Sequence, residues 1–241
     1  MTRNAQKGSH GVGRLDDRLR VFAERQGIPL TPEQRRRLEQ LDRLVGEWNR
    51  ALDLSGFRDA DERVNRYFLE PLDASRWLPA GSSGAALDVG SGGGSPVLPL
   101  ALVRPGLRFT LLEPNRRRAV FLEEALTQLG LVGARVERAR LSDFVPEGRF
   151  AVITSRGVSL DGESLEQMAR WLEPGGRLLL FTGRARSEVL CGWRGVLREK
   201  ARVALAPDLK GWLLVLEKPL ETTIAPPDSK GGGDQAGGSG T

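Results

Sequence analysis

The sequence contains one histidine, His10, one cysteine, Cys191, and one tyrosine, Tyr67. A lone histidine in a Gly/Ser/Lys-rich leader argues against His-based catalytic triads and His-ligated metal sites, so no metal is expected. A lone cysteine permits no internal disulfide, which fits a reducing compartment and a cytoplasmic protein. Cys191 lies in no nucleophile motif and reads as a small buried residue. No apolar run approaches the length that crosses a bilayer, so no membrane partner is expected. Residues 1–13 lack the apolar segment of a secretory signal.

What is present is basic and globular. Lys and Arg total 36 against 31 Asp and Glu, and 39% of residues are apolar. Most of the excess is arginine, whose planar fork suits phosphate. A basic balance also attracts polyanions at long range.

Four segments follow from composition and periodicity. Residues 1–13 and 221–241 are Gly- and polar-rich and read as a disordered leader and tail. Residues 14–80 read as a helical extension. Leu15, Leu19, Phe22 and Ala23 share one helical face, and Leu38, Leu41, Leu44, Val45, Trp48 and Leu52 recur at helical spacing. Thr31-Pro32-Glu33-Gln34 carries an N-cap, a first-turn proline and a reciprocal glutamine. A third helical segment carries Val64, Tyr67 and Phe68. From residue 81 to 220 the rhythm becomes strand, helix, strand, with strands expected at 85–89, 107–112, 134–138, 150–154, 176–181, 201–206 and 211–217. Such alternation implies an α/β fold with a mostly parallel sheet covered on both faces, and the last two strands suit an antiparallel hairpin.

The chemistry concentrates at the first strand. Leu87-Asp88-Val89-Gly90-Ser91-Gly92-Gly93-Gly94-Ser95-Pro96 joins an apolar run to an acid, a glycine-dense turn and a Pro-led helix start. Only glycine lets backbone and ligand approach closely at such a strand end. The acid, two residues before the first glycine, favours S-adenosylmethionine, which carries an ammonium and a sulfonium but no phosphate. Glu113, 25 residues after Asp88 in the sequence, ends the second strand, where a carboxylate can accept both ribose hydroxyls. Arg140-Leu141-Ser142-Asp143 follows the third strand, where the Leu141 and Ser142 amides can read the adenine edge. The cofactor-binding set expected from these residues is Asp88, Gly90, Gly92, Gly94, Glu113, Leu141 and Ser142.

These residues carry a resemblance. Leu30-Thr31-Pro32-Glu33-Gln34, Trp48-Asn49-Arg50, Phe57-Arg58-Asp59, Asp88 to Gly94, Leu112-Glu113-Pro114-Asn115-Arg116-Arg117-Arg118-Ala119-Val120-Phe121-Leu122 and Ser155-Arg156 resemble the bacterial glucose-inhibited division protein B (RsmG) family. The resemblance implies a Rossmann-like class I S-adenosylmethionine-dependent methyltransferase fold with an N-terminal helical extension. It implies methylation of guanine N7 in 16S ribosomal RNA, naked or within the small subunit. It further implies cofactor contacts at Gly90, Ser95, Leu141, Ser142 and Arg156, with Glu113 near the ribose. Arg156, ending the fourth strand, is the expected catalytic residue, and a monomer is expected.

The chain departs from the family pattern on the substrate side. Arg-His-x-x-Asp-Ser becomes Arg66-Tyr67-Phe68-Leu69-Glu70-Pro71, Gly-Leu-Pro-Gly becomes Gly94-Ser95-Pro96-Val97, and Lys-Gly becomes Thr182-Gly183. The Asn/Asp-Pro-Pro-aromatic turn of amine methylation is replaced by Thr154-Ser155-Arg156-Gly157. Guanine N7 carries an in-plane lone pair and no proton, so its methylation needs no general base, only alignment and charge support. The alternatives are a diverged paralogue acting on another substrate and a cofactor- or RNA-binding protein without turnover.

Overall fold

The computed structural model describes residues 15–52, 59–79, 83–192, 195–205 and 211–220. The expected leader and tail lie outside the described residues. Two helices come first, α1 (Leu15–Gln26) and α2 (Pro32–Leu52). The expected capping box opens α2: Thr31 N–H donates to Gln34 Oε1 at 2.9 Å, and Gln34 N–H donates back to Thr31 Oγ1 at 3.2 Å. The third helical segment is composite. A short α3 (Ala60–Arg63), capped by the Asp59 carboxylate, winds into a π-helical turn over Val64–Leu69 and then into α4 (Glu70–Ala74).

The rest alternates as expected: β1 (Gly84–Val89), α5 (Val97–Val103), β2 (Leu107–Leu112), α6 (Arg116–Gln128), β3 (Arg135–Glu137), β4 (Phe150–Arg156), α7 (Gly162–Trp171), β5 (Leu172–Thr182), α8 (Arg184–Cys191), β6 (Arg198–Ala204) and β7 (Trp212–Glu217). The seven strands pair in the order β3-β2-β1-β4-β5-β7-β6. Pairs among β1 to β5 are parallel, and β7 runs antiparallel to both β5 and β6. Two strands differ from expectation. β5 begins at Leu172, through the irregular Glu173 to Gly176 stretch, and β6 begins at Arg198.

The pleat sorts apolar side chains onto two faces. Ala86, Phe109, Leu111, Val152, Leu179, Leu213 and Val215 face one layer. Leu87, Val89, Leu112, Ile153, Leu178, Leu180, Leu214 and Leu216 face the other, under α7 and α8. The first layer also contains Leu19, Leu38, Leu41, Tyr67 and Phe68, together with Leu98 and Phe121. The helical extension therefore completes one covering layer of the sheet. This places the turn Val64–Leu69 beside the carboxyl ends of β1 and β4.

Candidate active site

The carboxyl ends of β1, β2 and β4 open into a cleft of about 730 Å³. Open α/β sheets bind ligands at this edge, where the strand order reverses between β1 and β4. Gly90, Gly92, Ser95, Glu113, Leu141, Ser142 and Arg156 all line it. Strand register explains this gathering. Val89 pairs with Leu112 on one side and with Ser155 on the other, so the three following segments leave the sheet at one level.

The turn after β1 is held by bonds from four of its own amides. Gly90 N–H and Ser91 N–H both donate to the Leu112 carbonyl, at 2.9 and 3.1 Å. Gly94 N–H donates to the Ser91 carbonyl at 2.8 Å. Gly92 N–H donates to Glu113 Oε2 at 2.7 Å, while Asn115 N–H donates to Oε1 at 2.8 Å. A phosphate-cradling loop must leave such N–H groups free for the anion. Here those of Gly90, Ser91, Gly92 and Gly94 are engaged within the protein, and two buried carboxylates, Asp88 and Glu113, stand at and beneath the turn. The arrangement suits a cationic ligand and disfavours a phosphate.

Gly92 has φ +55°, and a methyl built there meets only the Gly90 carbonyl oxygen, at 3.7 Å. The position is open on the cleft side. Gly94 differs. Its φ is +88°, and a methyl there would come within 2.4 Å of Leu98 Cδ1 and 2.9 Å of the Tyr67 hydroxyl. Gly94 lies behind the wall, where its missing side chain permits packing. Its expected direct place in the cleft is corrected accordingly.

Asp88 is likewise repositioned. Its side chain is 1% exposed and does not line the cleft. The Thr154 hydroxyl, on the facing residue of β4, donates to Oδ1. Ser91 Oγ–H lies beside it, donating to the Asp88 carbonyl at 3.2 Å. Burial pushes the Asp88 carboxyl up to about 6, opposed by the Thr154 and Ser91 hydroxyls and by the Arg156 charge. Thr154 and Ser155 carry the signal for this contact: hydroxyls that interrupt the buried run Ala151-Val152-Ile153.

Arg156 does two things at once. It bounds the first cleft and a second one of about 760 Å³, which is floored by Phe181 and Thr182. Its guanidinium donates to the Arg66 carbonyl, to Ser95 Oγ at 3.3 Å and to Glu70 Oε2 at 2.8 Å. Its Cζ lies 4.5 Å from the centre of the Phe181 ring. Glu70 is 3% exposed and packs on Gly211. Burial raises its pKa, and the Arg156 and Arg66 charges lower it. Burial likewise lowers Arg156 to about 10, with Glu70 pulling it back up.

The helical extension grips this wall. Tyr67 Oη–H donates to the Gly93 carbonyl at 2.7 Å, and Ser95 Oγ–H donates to the Tyr67 carbonyl at 3.1 Å. The π-helical turn supplies the Arg66 and Tyr67 carbonyls, because its bonding is displaced: Glu70 N–H reaches Asn65 O. Tyr67 and Phe68 are core residues, their rings 4.9 Å apart, not exposed stacking platforms. Asp143 is exposed and accepts from Ser142 Oγ–H at 2.8 Å. Among the described residues no group of three or more His, Cys, Asp or Glu is gathered as for a metal, and no helix is long and apolar enough to cross a membrane.

A family model described as rRNA small subunit methyltransferase G matches residues 34–206. A protein of Alkalilimnicola ehrlichii named ribosomal RNA small subunit methyltransferase G is 36% identical over 187 residues, 78% of this chain and 84% of the relative. A Pseudomonas aeruginosa protein of the same name is 36% identical over 209 residues, 84% and 95% of the two chains. Among solved structures, an S-adenosylmethionine-dependent methyltransferase from Aquifex aeolicus superposes with TM-score 0.55 at 14% identity, covering 66% of this chain and 94% of that one. The N-methyltransferase NodS from Bradyrhizobium japonicum, in complex with S-adenosyl-L-homocysteine, gives 0.51 at 17% identity over 75% and 97%. At these identities the structural likeness shows the fold alone.

Proposed function

The chain belongs to the rRNA small subunit methyltransferase G family, and from that premise we propose that it transfers the methyl group of S-adenosyl-L-methionine to N7 of a guanine in 16S ribosomal RNA. It does so in the cytoplasm, as a monomer, without metal or membrane.

The observation that carries the donor assignment is the amide account of the glycine turn. The N–H groups of Gly90, Ser91, Gly92 and Gly94 are all satisfied within the protein, and two buried carboxylates supply negative potential there. At the turn the two carboxylates therefore favour a cationic group, while Arg66, Arg118, Arg140 and Arg156 line the rest of the cleft. When bound, S-adenosyl-L-methionine supplies an electrophilic methyl group on a positively charged sulfur. Gly90 and Gly92 admit the ligand against the backbone. Glu113, held by Gly92 and Asn115, keeps spare acceptor capacity on both oxygens for ribose hydroxyls. The Leu141 and Ser142 backbone borders the base. Asp88 acts from beneath the turn, through its charge.

Arg156 is the residue that connects donor and acceptor, since it bounds both clefts. Its remaining N–H groups suit the O6 of a guanine presented in the second cleft. Glu70 balances its charge, so the positive charge that grows on the purine is not opposed by an isolated cation. No proton leaves N7, and no side chain need act as a base.

The test is incubation of the purified protein with methyl-tritiated S-adenosyl-L-methionine and either small subunits or naked 16S RNA. Label should enter RNA and appear as 7-methylguanosine after digestion. Label in another nucleoside, or none in RNA, would overturn the assignment.

A further inference from the structure

Five arginines crowd one lip of the first cleft. Arg116, Arg117 and Arg118 open α6, and Arg138 and Arg140 follow β3. The two segments leave neighbouring strand ends: Leu112 pairs with Glu137, and Glu113 N–H donates to the Glu137 carbonyl at 3.0 Å. All five side chains are exposed, and among the described residues none has an ion pair or side-chain hydrogen bond. The acids nearby are spoken for. Glu113 is buried on the turn, Glu137 pairs with Arg135, and Asp143 binds Ser142.

Internal structure does not account for this lip. Three cations at a helix start oppose the helix dipole, where acids would stabilise. Like charges across adjacent loops repel. Several other surface arginines are paired with acids, as with Arg20 to Glu24, Arg36 to Glu33 and Arg184 to Glu188. The mouth of the second cleft is mixed: Asp59, Asp61 and Glu62 stand with Arg66 and Arg186, and Asp61 and Glu62 are paired with Arg18 and Arg66.

We propose that the lip formed by Arg116, Arg117, Arg118, Arg138 and Arg140 is the docking surface for RNA phosphates. The strand then crosses the β2–β3 end of the sheet. The proposal rests on the RNA substrate assigned above and adds where and in which direction the RNA lies. Arginine forks bind phosphate without reading sequence, so this surface supplies affinity and register, not base choice.

The test measures binding of 16S RNA over a range of salt, for the natural protein, for the triple variant Arg116→Gln/Arg117→Gln/Arg138→Gln, and for Arg108→Gln. Arg118 and Arg140 are spared because they line the cofactor cleft. Arg108 is an exposed arginine at the opposite end of β2. The triple variant should bind at least tenfold more weakly, and its slope of log affinity against log salt should shrink by about 0.7 to 0.9 for each phosphate no longer neutralised. Its affinity for S-adenosyl-L-methionine and its melting temperature should not change. Should the triple variant fail to fold, Arg116→Gln and Arg138→Gln singly carry the same comparison. An unchanged slope, or an equal weakening in Arg108→Gln, overturns the lip. Methyl transfer by the natural protein is scored separately: its absence sinks the assigned activity, while the slopes still judge the surface.

Discussion

Replacing Asp88 with Asn should make the protein more stable and its cofactor site weaker. Asp88 is fully buried, and burial pushes its carboxyl from an ordinary 3.8 up to about 6. At about pH 4 and below, both folded and unfolded chains carry it neutral. Between about 4 and 6 only the unfolded chain ionises, so stability falls as pH rises. Above about 6 the folded protein holds the charge at a cost of about 3 kcal/mol, at roughly 1.4 kcal/mol per pKa unit. Asn keeps an oxygen for the Thr154 hydroxyl. Its new amide N–H group is buried beside Ser91 and costs about 1 kcal/mol if poorly met. The variant should therefore gain about 2 kcal/mol near pH 8, and its advantage should shrink by a similar amount near pH 4.5. Urea unfolding at both pH values measures this. Calorimetry measures the other half: cofactor affinity in the natural protein should weaken as pH falls through about 6, and in Asp88→Asn it should be low and flat. A variant that is less stable at both pH values, or binds cofactor as tightly as the natural protein, refutes the reasoning.

Three other substitutions separate packing from binding. Gly92→Asp should raise the dissociation constant for S-adenosyl-L-methionine at least tenfold, about 1.4 kcal/mol, with a loss of folding stability from the left-handed backbone of about 1–2 kcal/mol; unchanged affinity by calorimetry would remove this loop from the site. Gly94→Ala should instead cost about 2–4 kcal/mol of stability by clashing with Leu98 and the Tyr67 hydroxyl, and a neutral result in urea unfolding would contradict the packing. Arg156→Ala should cut methyl transfer at least tenfold and destabilise by about 3–5 kcal/mol, because Glu70 is left charged and buried. The double variant Arg156→Ala/Glu70→Gln should regain stability without regaining rate; recovery of both would make Arg156 structural only.

How far the sequence disclosed this molecule depended on the range of each interaction. The capping box at Thr31 and Gln34 is local, and it was legible from four residues. So were the glycine turn and the strand ends that bring Gly90, Glu113 and Arg156 to one edge, because parallel alternation fixes which ends converge. The orientation of Asp88 was not legible. It depends on the pairing of Asp88 with Thr154, 66 residues away, and only the hydroxyls interrupting the β4 run hint at it. The Arg156 partner Glu70, 86 residues away, is similarly hidden. Tyr67 was placed on a helical segment, but its hydroxyl bond to Gly93 needs the π-helical turn, which no sequence periodicity announces. The start of β5 at Leu172 was missed because Pro174, Gly175 and Gly176 read as a break, whereas irregular pairing with β4 carries the strand through them.

The central claim is that this chain places a methyl group on one guanine of the small-subunit RNA. The most direct measurement compares 16S RNA from cells with and without the gene, cleaving chemically at 7-methylguanosine and reading the break sites. One break present with the gene and missing without it is the expected result, restored by the natural protein and not by Gly92→Asp. Identical cleavage patterns in the two RNAs would contradict the account.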